Sequence, residues 1–403
     1  MNDPQNIFTP EQFRVQAVEL SQAVAELHRR DSQCIDPHDP FGNESEFHEY
    51  QPDYAEIVPQ IRIPGCQIPL RPNRREKSRI HRYYNIVGGF MLGHLLLNLF
   101  LQMVLQFVLF ALLKMSDSAA AGGELPGNYD GMAMQYFMNS SSLIALNMLT
   151  YGTANILTVW LGCRMTKISV PNLFRTKNFT AATAFCYITV AALLHLLSGQ
   201  AATGLDSLFQ GVGVQLFESP EFESSDIKGT VLSCVYSVIV APVTEELLMR
   251  GFVLKNLSRV SQRFGIFTSA FLFGLWHQNL PQFLLAFFVG LLLGYITVKH
   301  NSILPAIICH MSINALSEVN NVMLERGWWT ALEVLNIVYL AMGLVGLVLL
   351  IRMCIVERMP QTTPHQSERT VRQAWASPLF VTAIVCYIVS TAANIIVLNS
   401  SLM

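Results

Sequence analysis

Three apolar stretches of this sequence carry side chains that hydrocarbon does not accept cheaply. They are Ala241-Pro242-Val243-Thr244-Glu245-Glu246-Leu247-Leu248-Met249-Arg250, Phe273-Gly274-Leu275-Trp276-His277 and His310-Met311-Ser312-Ile313-Asn314. A charge at mid-bilayer costs ~2.5–3.5 kcal/mol on the mildest scale, so groups kept there are expected to do chemistry. Helix geometry separates the two carboxylates, because neighbours point ~100° apart while positions four apart share a face. Glu246 can pair with Arg250. Glu245 has no local counter-ion and points at another helix, where a desolvated carboxylate suits a general base. Pro242 removes a backbone hydrogen bond just before the pair, so a kink with room for water is expected there. His310 and Asn314 also share a face, and together can stabilise the oxyanion formed when water attacks a peptide carbonyl. His277 would flank that water, orienting or deprotonating it together with Glu245.

These residues need elements to carry them, and composition says what kind. Of 403 residues, 52% are hydrophobic and 13% charged, about half the charged fraction of a soluble domain. An ordinary soluble enzyme is excluded. The net charge of -2 and the lack of a basic block outside Arg71–Arg82 leave no nucleic-acid footprint. The expected partner is membrane lipid. Six of the eight Cys lie in apolar runs, which gives no disulfide framework or zinc-ribbon spacing.

The expected fold is all-α and polytopic, with about eight or nine transmembrane helices. Apolar runs lie near 84–114, 142–163, 180–199, 229–249, 264–280, 282–298, 303–323, 331–351 and 378–399, and about 20 helical residues cross a ~30 Å core. The fifth and sixth runs are short and separated only by Asn279-Leu280-Pro281, which predicts a tight helical hairpin. Residues 1–82 hold nine of the eighteen Pro and read as a water-exposed extension. Within it, Thr9-Pro10-Glu11-Gln12 starts a helix expected to run to about Arg30, followed by a Pro-rich linker. No apolar leader is visible there, so insertion is expected to begin at an internal helix. Residues 83–200 form the N-terminal membrane helices, 228–323 the catalytic core and 324–403 the C-terminal helices. Lys and Arg collect on one side of this layout: Arg71–Arg82, Arg164, Lys167, Lys255 and Arg352 against Lys114, Lys228 and Arg326. That predicts a cytoplasmic N-terminus.

The order Glu-Glu-x-x-x-Arg, Phe-x-x-x-His, His-x-x-x-Asn, one motif per hydrophobic helix, resembles the CPBP family. That family groups CAAX prenyl endoproteases with bacterial bacteriocin-processing and immunity (Abi) proteins. The resemblance spans roughly Lys228 to Asn320. It implies an intramembrane endopeptidase in which Glu245 and His277 activate water, His310 and Asn314 bind the oxyanion, and Glu246 and Arg250 support the site. It also implies a bacterial cell membrane as the location, and a substrate that is a membrane-associated, lipidated or CAAX-like peptide.

Other readings compete. A structural ion pair accounts for Glu246 and Arg250 whether or not the chain is an enzyme. His94 and His195 each stand alone in a run and read as core or interfacial histidines. Gly290-x-x-x-Gly294 reads as close helix packing. A non-catalytic immunity scaffold or a proton-linked transporter would also bury Glu and His, although a transporter should carry inverted repeats and none is visible. Glu245, His277 and His310 could hold zinc with water in the fourth position. Such sites normally include a short-spaced His pair on one helix, so the preferred reading has no cofactor, with zinc as the alternative. Counted from nearby charges, Glu245 and His310 sit ~10–12 Å below the cytoplasmic surface. His277 falls deeper, a mismatch that a tilted or broken helix must absorb.

Overall fold

In a computed structural model of the chain, residues 74–120, 129, 141–176, 179–216, 227–258, 262–356, 372 and 375–400 are described. The expected helix over 10–30 and the Pro-rich linker lie outside them. Among the described residues every ordered element is helical: α1 Arg74–Ala120, α2 Ser141–Thr166, the single turn α3 Val170–Leu173, α4 Ala181–Gln210, α5 Ile227–Ser258, α6 Gln262–Trp276, α7 Leu280–His300, α8 Leu304–Glu325, α9 Trp329–Val356 and α10 Pro378–Ser400.

The nine expected apolar runs are thus all helical, but they are not equally suited to spanning. Seven helices are long and apolar enough to cross a bilayer: α1, α2, α4, α5, α7, α9 and α10. α6 has 15 residues, which reach only ~22 Å at 1.5 Å per residue. α8 has 22 residues but is interrupted by His310, Ser312, Asn314, Ser317, Glu318, Asn320 and Asn321. Both of these rods carry motif residues: Phe273 lies on α6, and the His310 and Asn314 that serve the site also lower the apolarity of α8.

Bilayer-embedded helices approach closely where side chains are small. Gly88 lets α1 meet the backbone of α10 at Leu379 and Phe380, and Gly346 lets α9 meet Thr189 of α4. α6 and α7 form the expected hairpin, with Gly294 against Ile266 and Gly290 against Ala270. The Gly290/Gly294 pair is therefore a packing seam. One core joins α1, α2, α5, α6 and α10 around Tyr84, Phe252, Phe273, Phe380 and Tyr387. A second joins α4, α7, α8 and α9 around Val190, Leu293, Ile296 and Ile313. α5 packs on α2, α6 and α8 at once, and so becomes the central rod.

α5 is not a uniform α-helix. Tyr236–Val240 and Leu247–Leu254 are wound as π-helix on either side of an α-helical Ala241–Glu246. Such segments recur at functional sites, and each inserted residue rotates the downstream side chains by ~100° relative to α-helical register. Pro242 sets up the first one. It has no N–H, and the Ala241 N–H donates to the Tyr236 carbonyl, leaving the Ser237 carbonyl without an intrahelical donor. Pro242 acts here through altered winding of the helix.

Candidate active site

Glu245 and Glu246 close the α-helical segment between the two π-wound stretches, and α5 presents them to different neighbours. Glu246 and Arg250 are both fully buried. Arg250 Nη1 donates to Glu246 Oε1 at 2.8 Å and Nη2 donates to the Gly290 carbonyl at 3.2 Å. Its guanidinium also lies 4.5 Å from the Phe273 ring centre, a cation–π contact that counts for more when both partners are desolvated. A Cβ on residue 290 would sit 3.2 Å from Arg250 Nη2. The seam glycine thus lets α7 bring a carbonyl to the buried cation.

Glu246 has a second partner that the helical spacing does not disclose. His310 Nδ1 lies 2.9 Å from the same Oε1. A carboxylate only accepts, so Nδ1 carries the proton and donates. This fixes the ring and turns Nε2 toward Glu245, whose Oε2 is 3.9 Å away. That gap exceeds a direct hydrogen bond. It suits two groups gripping different oxygens on one carbon.

His277 follows the last residue of α6. Its Nδ1 donates to the Phe273 carbonyl at 2.8 Å, since a carbonyl cannot donate, and Nε2 is left as the acceptor. The turn is held in a left-handed bend at Gln278, φ 52°. The Gln278 side chain accepts from Ser390, and its carbonyl accepts from Asn394 Nδ2 at 3.1 Å, so α10 clamps the turn from outside. Asn279 then caps α7, its side chain accepting from the Gln282 N–H.

His277 and His310 pack edge-on against one ring, Phe273, at 4.9 and 5.9 Å between centroids. His277 is also within electrostatic range of Glu245, His310 and Arg250.

Asn314 is one turn beyond His310 on α8, and its Nδ2 donates to the Ser237 carbonyl at 2.8 Å. This is the carbonyl that Pro242 leaves orphaned. A primary amide has a second N–H, so this bond orients the group without exhausting it. Glu245 on α5, His277 in the turn after α6, and His310 and Asn314 on α8 thus come from three separate parts of the bundle, with His277 and His310 sharing the Phe273 ring. Among the described residues no group of three or more His, Cys, Asp or Glu side chains could hold a metal ion. As placed, Glu245, His277 and His310 do not form such a group.

Residues 227–316 match the family model described as Type II CAAX prenyl endopeptidase Rce1-like. The matched segment contains α5, α6, α7 and the half of α8 that carries His310 and Asn314, less than a quarter of the chain. Over this segment the chain is similar to CPBP-type endopeptidases, and with the seven apolar helices the match supports an integral membrane protein; the activity that the matched family implies is intramembrane endoproteolysis of the CAAX kind. No curated protein and no solved structure matches the chain.

Phe273, Thr244 and Ser237 belong to the site, and sequence alone does not single them out as members of it. Phe273 is visible only as a motif letter, since nothing in its spacing reveals that one ring supports a cation and two imidazoles. His195 is an interior histidine as expected, with Nε2 3.1 Å from Ser317 Oγ and its ring 5.6 Å from Tyr339. His94 is buried but not isolated. An apolar groove of about 560 Å3 between α1 and α2 runs past it from Arg82, with Phe90, Leu161 and Met165 on its walls.

Proposed function

We propose that this protein hydrolyses a peptide bond in the tail of a membrane-associated peptide, using a water activated by Glu245 and not by a metal. The observation that carries this reading is the 3.9 Å approach of Glu245 Oε2 to a His310 whose other nitrogen is tied to buried Glu246. Glu245 takes a proton from the water as its oxygen attacks the carbonyl carbon. His277 Nε2 accepts a hydrogen bond from the same water and aims it. The carbonyl oxygen becomes an oxyanion facing the second N–H of Asn314 and His310 Nε2, which donates when the ring carries a proton on both nitrogens, the Nδ1 proton being held by Glu246. Collapse breaks the C–N bond, and Glu245 returns the proton to the departing amine. The products are a new carboxylic acid and a new amine. Glu246 and Arg250 touch no reacting atom; they hold the imidazole.

The charge asymmetry of the connecting segments supports a cytoplasmic N-terminus and substrate entry from the cytoplasm or laterally from lipid. A lipidated, CAAX-like tail is the substrate class that the family match favours, and a bacterial cell membrane is the proposed location. Comparison of membrane peptides from cells carrying wild type or Glu245→Gln tests this. A peptide that is processed only with wild type, and accumulates uncut with a folded Glu245→Gln protein, is expected. Identical peptide profiles, or proton movement without cleavage, would replace the protease with a scaffold or transporter.

A further inference from the structure

Behind the site runs a second polar connection, made of residues that take no part in the hydrolytic steps. Trp276 Nε1 donates to His94 Nδ1 at 3.3 Å, and His94 Nε2 lies 2.8 Å from Asn155 Oδ1. Asn155 Nδ2 donates to Thr244 Oγ1 at 3.0 Å, and Thr244 Oγ1 donates to the Val240 carbonyl at 2.9 Å. His94 and Asn155 are each 2% exposed, and Thr244 and Trp276 each 7%.

The chain has one possible direction. An indole N–H can only donate, so His94 Nδ1 must accept, and the proton sits on Nε2. Nε2 therefore donates, and the Asn155 amide must present its oxygen to His94 and its nitrogen to Thr244. The threonine hydroxyl then donates to a backbone carbonyl, which ends the chain in the first π-wound stretch of α5. Each of these polar atoms thus has its partner. Fully satisfied buried networks of this kind rigidify the elements they connect.

The two ends of the chain are informative. Thr244 immediately precedes Glu245, and Trp276 immediately precedes His277. Both ends are thus one residue from the two groups that flank the attacking water, and the middle comes from α1 and α2, outside the segment 227–316 that matches the family. Neighbours on a helix diverge by ~100°. Pinning Thr244 toward α2 turns Glu245 away from α2, toward α8. Trp276 also stacks on Phe273 at 6.2 Å, which couples the same anchor to the ring under both catalytic imidazoles.

We propose that His94 and Asn155 are positioning residues that set the distance between Glu245 and His277 through a buried, one-directional hydrogen-bond chain from Trp276 to Thr244. The proposal deepens the reading of Glu245 and His277 as the water-activating pair and rests on it. It assigns part of the catalytic geometry to helices α1 and α2.

The test uses the full-length protein in lipid vesicles with a lipidated peptide substrate, and three variants: His94→Phe, Asn155→Leu and Trp276→Phe. Each should lower kcat by ~10–100-fold, the scale of a misplacement of about 1 Å, with KM changed less than about threefold. Because the links act in series, the double variant His94→Phe/Asn155→Leu should be no worse than the poorer single variant. Unchanged kcat per folded molecule, or effects that multiply, would overturn the proposal. A second readout does not depend on cleavage: the Trp276 indole N–H resonance, identified by its loss in Trp276→Phe. It should shift in Asn155→Leu, although Asn155 is reached from Trp276 only through His94; an unmoved resonance also overturns the proposal. Should wild type cleave nothing while the resonance moves as expected, the chain stands and the protease reading fails.

Discussion

Glu246→Gln separates what the buried acid does for the fold from what it does for the site. The substitution keeps the shape of the side chain but leaves Arg250 fully buried without its counter-charge, and removes the carboxylate that accepts from His310 Nδ1. Removing one partner of a buried ion pair costs about 3–5 kcal/mol. At roughly 2 °C per kcal/mol, the low end of the range for larger chains, Tm should fall by ~6–10 °C in a thermal-shift measurement on purified, reconstituted protein. Cleavage should fall further than stability explains, by ~10-fold in kcat, because a neutral amide oxygen accepts from His310 Nδ1 more weakly than the carboxylate does and orients Nε2 toward Glu245 less firmly. Glu246→Leu combined with Arg250→Met supplies the control. Replacing a whole buried pair by apolar groups of similar volume is often neutral or stabilising, so this double variant should regain most of the lost Tm and none of the lost kcat. Recovery of both together would refute the role assigned to the Glu246–His310 contact and leave only a structural pair.

Asn314→Ala should lower kcat and also destabilise by ~1–3 kcal/mol, the cost of stranding a buried carbonyl; adding Pro242→Ala supplies a backbone N–H to this turn and should restore Tm but not kcat. Gly290→Val puts a branched side chain against Arg250 Nη2 and Ala270 and should cost ~1–3 kcal/mol by overpacking, read as a lowered Tm. Phe273→Leu removes the ring shared by Arg250, His277 and His310 and should lower kcat with little change in KM in a steady-state cleavage assay. Cleavage should persist in a strong chelator; loss that zinc restores would put an ion into the mechanism.

Much of this arrangement is legible before any coordinates. Charges in hydrocarbon are costly, so Glu245, Glu246, Arg250, His277 and His310 stand out against apolar neighbours, and four-residue spacing pairs Glu246 with Arg250 correctly. The same rule misses His310 on Glu246, because it describes neighbours within one helix and this contact joins α5 to α8. The π-winding of α5 is equally hidden. Pro242 signals that a backbone bond is lost, but whether the rod can widen into π-helix depends on whether another helix can satisfy Ser237, and Asn314 does so from α8. His94 reads as a lone histidine because its partners Asn155 and Trp276 are distant in sequence. Hydropathy places the nine runs on helices, but it does not show that α6 is only 15 residues long or how the polar side chains of α8 are used.

The central claim is that a water poised by Glu245 enters the new carboxyl group of a cleaved membrane peptide. Cleavage of a lipidated peptide by the reconstituted protein in 18O-labelled water, followed by mass spectrometry, tests it directly. The account predicts one 18O atom in the newly formed carboxylate with wild type, and no cleaved product from Glu245→Gln of unchanged Tm. Product formation by Glu245→Gln at the wild-type rate, or cleavage without label, would contradict it.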